Sequence, residues 1–264
     1  MQHELLIRLS VFFGLFILLA GIETLAPRRP LSWSKSRRWL TNWGLSLLNT
    51  VAQRALAIAL PLLATGAAYD AQSNNWGLFN IVNLPILTEF ILAILILDFA
   101  IWLKHLITHK VPLLWRLHRV HHADPNFDVT TAIRFHPIEI ALSMALKIGL
   151  IYLLGPAAFA VLVFEILLNG TAIFNHANIR LPTKLDRMIR LVLVTPDMHR
   201  VHHSVHRDEH DSNYGFALSI WDRALGTYIA QPRAGHDKMT IGLEWQDPCP
   251  TKLSWSLLLP FRAK

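Results

Sequence analysis

The chain has little sulfur and few charges for its length. Its single cysteine, Cys249, excludes an internal disulfide and leaves no thiolate cluster for an iron–sulfur or cysteine-rich zinc site. Only 16% of its 264 residues are charged, whereas soluble domains carry about a quarter. It has no Gly-x-Gly-x-x-Gly dinucleotide fingerprint, so any electrons that it uses must come from a separate protein. The composition therefore indicates a membrane protein without a nucleotide cofactor of its own.

Hydrophobic residues make up 53% of the chain and fall in long runs. A helix needs about 20 apolar residues to cross the bilayer core, which predicts spans at roughly residues 5–25, 55–70, 84–103 and 138–174. The last run is longer than one span requires and is divided by Gly155-Pro156, so we predict two short helices that form a hairpin. The expected fold class is an all-α integral membrane bundle of about four spans, with residues 1–264 forming one domain.

The remaining segments, residues 104–137 and 175–264, are expected to form a helical cap on one side of the membrane. Arg28, Arg29, Lys35 and two further arginines lie between the first two runs, whereas residues 70–83 contain no Lys or Arg. The positive-inside rule then places the cap in the cytoplasm. The formal charge of +7 is explained by basic residues between the spans, near lipid headgroups, so no nucleic-acid partner is expected. The length and the lack of sorting signals suit a bacterial inner membrane.

Histidine is the residue that this chain has in excess. The pentapeptide His-Arg-Val-His-His occurs at positions 118–122 and again at 199–203, and ten of the fourteen histidines lie between positions 105 and 203. On a helix, each pentapeptide places three imidazoles on one side, and His105 and His109 share a face four residues apart. Imidazole is the commonest side-chain metal ligand. The set is too large for one ion and suits two ions with four or five ligands each.

Two further histidines and several acids could complete such a site. His176 follows the predicted hairpin and is expected to be a ligand, whereas His136 could be a ligand or could cap the hairpin. Carboxylates and amides can hold a liganding imidazole through its second nitrogen; the candidates for this role are Asp98, Asp128, Glu139, Asn178 and Asp197. Asp98 could equally be a buried acid that is hydrogen-bonded to a neighbouring helix.

Several motifs resemble the fatty acid hydroxylase superfamily, also called the sterol desaturase family. They are Asp-Phe-Ala-Ile-Trp-Leu-Lys-His at 98–105, Leu-Trp-Arg-Leu-His-Arg-Val-His-His at 114–122 and Arg-Phe-His-Pro-Ile-Glu at 134–139. Later in the chain come the second pentapeptide, Asn-Tyr-Gly at 213–215 and Trp-Asp-Arg-Ala-Leu-Gly-Thr at 221–227. Together these motifs cover residues 90–230 in the order typical of the family.

The resemblance implies a non-haem di-iron centre, which zinc may replace on purification, with O₂ as co-substrate. It also implies a membrane lipid as substrate and an external electron-transfer protein as partner. The implied ligands are His105, His109, His118, His121, His122, His136, His176, His199, His202 and His203. Some members of the family have another histidine shortly after the position of His176. Here Asn178 stands in that region and could bind through oxygen or water.

Three functions remain open from the sequence. The first is hydroxylation of a C–H bond in a fatty acyl chain, sterol or related lipid, and the second is desaturation at the same site. The third is a membrane protein that binds or transports metal without catalysis. Transport predicts ligands along several spans, whereas these histidines gather at one face, which favours an enzyme. Basic residues of the cap, among them Lys104, Lys110, Arg116, Arg119 and Arg200, could form a docking face for an acidic electron carrier.

Overall fold

The computed structural model describes residues 3–59, 64–82, 84–245 and 249–262. Within these ranges the chain is helical, with no named strand and two isolated β-bridges. The α-helices in chain order are α1 Glu4–Leu25, α2 Lys35–Ala59, α3 Ala64–Ser73, α4 Leu78–Ile81, α5 Ile86–Lys110, α6 Pro112–His122, α7 Pro137–Leu154, α8 Ala158–His176, α9 Thr183–Ile189, α10 Pro196–His202, α11 Arg207–His210, α12 Ile220–Ala224, α13 Gly235–Lys238 and α14 Leu253–Leu258. Short 3₁₀ turns cover Val129–Ile133, Cys249–Thr251 and Leu259–Phe261.

Four of these helices, α1, α5, α7 and α8, are long and apolar enough to cross a membrane. They confirm the all-α membrane fold class and three of the predicted apolar runs. The predicted span at residues 55–70 includes residues 60–63, which lie outside the described residues, and it stays a prediction. Helix α8 lies at the centre of the bundle, because it packs against α1, α3 and α5 and also against α10 of the cap.

The hairpin between α7 and α8 forms where the sequence predicted it, although each of its helices is long enough to span by itself. Gly155 ends α7 in the left-handed conformation, with φ of 63°, the usual glycine signal for a helix C-terminus. A Cβ on Gly155 would lie 2.4 Å from the carbonyl oxygen of Trp76. Both the backbone angle and the close approach of the loop before α4 therefore require glycine here.

We expect Gly155→Ala to lower the stability of the protein by at least about 1–2 kcal/mol, the cost of a left-handed non-glycine residue. The contact with Trp76 adds to this cost. The matched control is Gly149→Ala in the middle of α7, where a Cβ meets no atom within 4 Å and helix propensity improves. Thermal unfolding followed by size-exclusion fluorescence should show a lower melting temperature for Gly155→Ala only. Equal melting temperatures for the two variants would contradict this account of the turn.

The cap is tied to the bundle by a buried ion pair. Arg38 of α2 is 1% exposed, and its guanidinium donates to Asp124 at 2.7 Å and to Asp128 at 2.6 Å. Asp128 also caps the 3₁₀ turn Val129–Ile133, accepting from the backbone N–H of Thr130 at 2.9 Å. The basic segment that the sequence placed at lipid headgroups thus holds the loop between α6 and α7 in position.

Candidate metal centre

The histidines are delivered by four helices that meet at one end of the bundle. Helix α5 carries His105 and His109 near its C-terminus, and α8 ends at His176. The first pentapeptide forms the last turns of α6, which begins with Pro112 at a position where proline is favoured. The second lies on α10, which is capped by Thr195 and starts with Pro196; His203 is its C-cap residue. Both pentapeptides are helical, as predicted, so their histidines face one pocket.

Nine imidazoles form two adjacent buried groups. The first group is His105, His109, His118, His122 and His202, and the second is His121, His176, His199 and His203. Within each group, one ligand atom per residue lies within 4.8 Å of all the others. The groups touch, because the rings of His122 and His203 stack with centroids 4.5 Å apart. The groups have five and four members, which fits two ions with four or five ligands each.

Hydrogen bonds at the outer nitrogens define which ring nitrogen faces inward. The Nδ1 atom of His105 donates to the carbonyl of Tyr214 at 2.7 Å, and that of His118 to the Glu139 carboxylate at 2.8 Å. Since a carbonyl or carboxylate only accepts, Nδ1 carries the proton and Nε2 keeps a lone pair. Yet the two Nε2 atoms lie 3.0 Å apart. Two lone pairs facing each other repel unless a cation binds between or beside them.

The second group repeats this geometry. The Nδ1 atom of His121 donates to the carbonyl of Arg134 at 3.2 Å, and that of His176 to the carbonyl of Ala172 at 2.7 Å. Their Nε2 atoms lie 3.2 Å apart, and Nε2 of His199 lies 3.2 Å from Nε2 of His176. The lone pairs of His121 and His176 thus face each other, and a third imidazole nitrogen, from His199, lies beside that of His176. This is the donor set that a transition metal requires.

Other nitrogens of the centre make no hydrogen bond, although Nδ1 of His109 lies 3.4 Å from the carboxylate of Asp211. Neither ring nitrogen of His109, His122 or His203 makes a hydrogen bond, nor does Nε2 of His202. A buried polar atom without a partner costs about 1–3 kcal/mol. Bound metal removes this cost, so the orphaned nitrogens fit a metal centre and not a purely structural histidine core.

Burial keeps the centre in the neutral form that binds metal. It lowers the pKa of His121, His122 and His203 well below 6.5, and the neighbouring histidines lower it further. The same causes act on His199. For His202 burial also dominates, although the carbonyl of Ser212 opposes it. These imidazoles are therefore uncharged at neutral pH, with lone pairs available for coordination.

We expect the metal-free protein to lose stability as pH falls below about 6.5. The unfolded histidines take up protons near their ordinary pKa of about 6.5, whereas the folded ones do not, so the unfolded state binds more protons and acid favours it. Each such histidine contributes up to about 1.4 kcal/mol per pH unit. Melting temperatures measured between pH 7.5 and 5.5 show the effect. The His203→Gln variant, which lacks one of these histidines, should show a weaker dependence of melting temperature on pH. A melting temperature that stays constant or rises would contradict this account.

Of the predicted supporting residues, Glu139 contacts the centre directly. It accepts from His118 and, through the same oxygen, from Lys104 at 2.8 Å. Asp98 instead accepts from the indole N–H of Trp221 at 2.8 Å, and Asp128 binds Arg38. Asp197 pairs with Arg200. These three acids support the fold around the centre and do not touch its imidazoles.

Two candidate ligands lie elsewhere. Nδ1 of His136 accepts from the backbone N–H of Ile138 at 3.2 Å, and its Nε2 contacts the carbonyl of Leu257 at 3.2 Å. It therefore caps α7, the second role that the sequence left open. The side-chain oxygen of Asn178 accepts from the backbone N–H of Arg29 at 3.1 Å, and its side-chain nitrogen donates to the carbonyl of Arg29 at 2.8 Å. We leave both residues out of the ligand set that we propose.

The sequence analysis missed Asp222, the acid that fixes a loop in contact with the centre. Asp222 is fully buried and accepts from the backbone N–H groups of Tyr214 and Gly215, at 2.8 and 2.9 Å. This fixes the loop whose Tyr214 carbonyl holds His105, and the Ser212 carbonyl of the same loop accepts from His202 at 2.7 Å. The Trp-Asp and Asn-Tyr-Gly motifs marked these two segments in the sequence. The contacts themselves involve backbone N–H and carbonyl groups, which the identity of a side chain does not reveal.

A cavity of about 750 Å³ lies between α1, α2, α5, α7 and α8, next to the histidine groups. Its wall near the histidines contains Phe135, which stacks on His121 with ring centroids 4.3 Å apart. Phe216 lies on the same wall, 4.8 Å from the ring of His105. Phe135 and Phe216 thus lie between the cavity and the two histidine groups, and the Lys104–Glu139 ion pair lines the same end.

The fold and the site define a helical membrane protein with a buried centre of nine histidines that could hold metal. Residues 90–227, just over half of the chain, match the family model described as fatty acid hydroxylase. The chain belongs to this family, as the sequence motifs predicted.

Curated relatives are named for the lipids that they oxidise. The chain is 33% identical to ornithine lipid hydroxylase OlsE of Rhizobium tropici, over 56% of the chain and 44% of that protein. It is 30% identical to alkylglycerol monooxygenase of Homo sapiens, over 64% of the chain and 36% of that protein. A cholesterol 25-hydroxylase-like protein of Danio rerio is 27% identical, over 54% of the chain and 57% of that protein. The matched part thus spans about a third to somewhat over half of these relatives' length. No solved structure gives a significant match.

Proposed function

We propose that the chain is an oxygen-dependent di-iron hydroxylase that acts on a C–H bond of a membrane lipid. The observation that carries the proposal is the pair of facing lone-pair contacts, one in each histidine group, because each marks a position for one cation. The first ion would be held by His105, His109, His118, His122 and His202. The second would be held by His121, His176, His199 and His203. The relatives named as lipid hydroxylases supply the reaction type.

The bound irons would supply the activation of O₂ and the oxidant for the C–H bond. One oxygen atom enters the C–H bond and the other leaves as water, which consumes two electrons and two protons from outside the lipid. The chain's own residues would do the rest. Glu139 and the backbone carbonyls fix the ring orientations of their histidines, while Phe135 and Phe216 keep water away from the reacting carbon.

An external electron-transfer protein would supply the electrons, and only part of the docking face that the sequence suggested is exposed, namely Lys110 and Arg116. Arg119 and Arg200 are buried, and Lys104 is paired with Glu139 inside the fold. Lys110 lies with Arg207, a residue that the sequence did not suggest, at the exposed rim of a cavity of about 310 Å³. Its wall includes Trp115, whose ring lies 4.8 Å from that of His109. This indole gives a short path from the surface to the first histidine group.

Desaturation remains the nearest alternative, since it would use the same centre and differ only in how the lipid is held. Metal transport is disfavoured by the cavity beyond the histidines. Its lining has four basic side chains and three carboxylates, so it has no excess of negative charge to attract a metal cation. We place the protein in a bacterial inner membrane with the centre on the cytoplasmic side, following the basic segment before α2.

Metal analysis of the purified protein tests the proposal. We expect two irons per chain by elemental analysis after expression in iron-rich medium, with Mössbauer parameters of high-spin non-haem iron. Incubation with a reductant, an electron carrier and O₂ should then convert membrane lipids to hydroxylated products. A single bound ion per chain, or two irons with O₂ left unconsumed in the presence of reduced carrier and lipid, would contradict it. A product that lacks two hydrogens instead of gaining oxygen would favour the desaturase.

A further inference from the structure

The end of the large cavity away from the histidines carries a group of ionisable side chains, which we call the polar end. It consists of Glu4, Arg8, Arg54, Lys147 and Glu165, all of which line the cavity. Arg8 bridges the two acids, with nitrogen–oxygen distances of 2.9 Å to Glu4 and 2.7 Å to Glu165. Lys147 also pairs with Glu165. Four of the five residues lie on helices that could cross the membrane.

The polar end has an excess of positive charge. Its three basic side chains face two carboxylates, which leaves one positive charge uncompensated. That charge is best assigned to Arg54, because Glu4 and Glu165 are taken by Arg8 and Lys147, and Arg54 makes no ion pair with any residue that the structure describes. Arg8, Lys147 and Glu165 lie on helices that could cross the membrane, where charges are costly and usually serve a function, whereas Arg54 is exposed on α2. A cavity wall with a spare guanidinium is suited to an anion, which it can bind through two parallel N–H groups.

The polar end lies far from the metal centre. Glu165 and His176 are on the same helix, α8, and are eleven residues apart, which at a rise of 1.5 Å per residue is about 16 Å. Between them the cavity wall carries the apolar residues Ile140, Met144 and Leu168, together with the uncharged polar residues Ser143 and Asn169. The cavity therefore has its excess charge at the polar end, while the charges of Lys104 and Glu139 near the histidines neutralise each other. Such a cavity suits an amphiphilic lipid, with its headgroup at the polar end and its hydrocarbon chain along the apolar residues.

We propose that the polar end binds the anionic headgroup, a phosphate or carboxylate, of a membrane lipid whose hydrocarbon chain extends along the apolar wall to the histidines. The proposal rests on the proposed function and names its substrate class. Sterols and uncharged glycerolipids offer the polar end no anion and leave Arg54 without a partner. Because about 16 Å separates the two ends, the reacting carbon lies well along the chain and not in the headgroup.

A purely structural role for these charges makes a different prediction. Ion pairs of Arg8 and Lys147 with Glu165 connect α1, α7 and α8 and could serve only to hold the bundle together. Arg54 separates the two explanations, since it lines the cavity without contributing to these pairs. Removing it should leave the fold intact and change only the binding of the anion. Arg37 is the matched control, because it is an exposed arginine on the same helix that does not line the cavity.

The test is lipid binding to metal-free protein in detergent, measured by native mass spectrometry with two probes that share the same acyl chains. Dioleoyl phosphatidate carries a phosphate and dioleoylglycerol does not. We expect the phosphatidate to bind at least about tenfold more tightly than dioleoylglycerol, because one hydrogen bond between charged groups changes a dissociation constant by about this factor. Arg54→Gln should remove about this factor and leave dioleoylglycerol binding unchanged, whereas Arg37→Gln should change neither. Lys147→Gln should also weaken phosphatidate binding selectively.

Equal binding of the two probes, or a loss with Arg54→Gln that is equal for both, would overturn the proposal. Displacement of the phosphatidate by inorganic phosphate alone, at a similar concentration, would show an anion site that does not select lipids and would overturn it as well. Because the measurement uses metal-free protein, its result is independent of the iron chemistry. Selective lipid binding without hydroxylation would leave this inference standing and refute the proposed function.

Discussion

His202→Ala and His121→Ala each abolish product formation while the protein still folds and inserts. The two variants remove one imidazole from each histidine group, and a two-metal site that loses one ion cannot activate O₂. We expect product below detection for both, and iron content reduced to about half or less. Activity with a reduced electron carrier and elemental analysis of the same samples measure the two effects together.

Two nearby histidines serve as controls for this experiment. His206 is exposed and lies outside the groups, so His206→Ala should retain iron and activity. His210 shares a smaller group with His109 and Asp211, but both main groups are complete without it, and His210→Ala should also retain its iron. Full turnover by either His121→Ala or His202→Ala would end the di-iron hypothesis. Complete loss of iron from His210→Ala would show that the ligand set is drawn wrongly.

Arg38→Met lowers the stability of the protein by about 3–5 kcal/mol, the usual effect of removing one partner from a buried ion pair. Asp124 and Asp128 are both buried and would lose their common cation. The loop that they hold precedes Arg134, whose carbonyl orients His121, so the second histidine group should also lose metal. Thermal unfolding and iron content measure the two effects.

Arg37→Met is the matched control for this variant, because Arg37 is the exposed neighbour on the same helix. It should retain the melting temperature of the parent protein. If Arg38→Met unfolds at the same temperature as Arg37→Met, the ion pair does not hold the loop. If it is destabilised but keeps its full iron content, the link from this loop to His121 is wrong.

Much of the fold could be predicted because its signals are local. The long apolar runs gave α1, α5 and the α7–α8 pair, and Gly155 marked the turn between the last two. The helical spacing of the pentapeptides placed three imidazoles of each on one side. Periodicity depends only on neighbours along the chain, so it could be read directly.

The partners of the acids and arginines could not be predicted, because they depend on contacts between distant segments. Arg38 was assigned to a basic loop at the headgroups, yet its partners lie more than eighty residues later. His136 was considered as a ligand because it is a histidine near the others, but its position before Pro137 makes it a helix cap. The charge of a residue predicts that it needs a partner and does not identify which one.

The most direct test of the central claim is mass spectrometry of total lipids from cells that express the chain or its His121→Ala variant under isotopically labelled O₂. We predict a lipid that is one oxygen atom heavier, that carries the label and that appears only with the unmodified chain. Fragmentation should place the new oxygen on a hydrocarbon chain of an anionic lipid. An identical lipid profile for the two strains, in the presence of a competent electron carrier, would contradict the account.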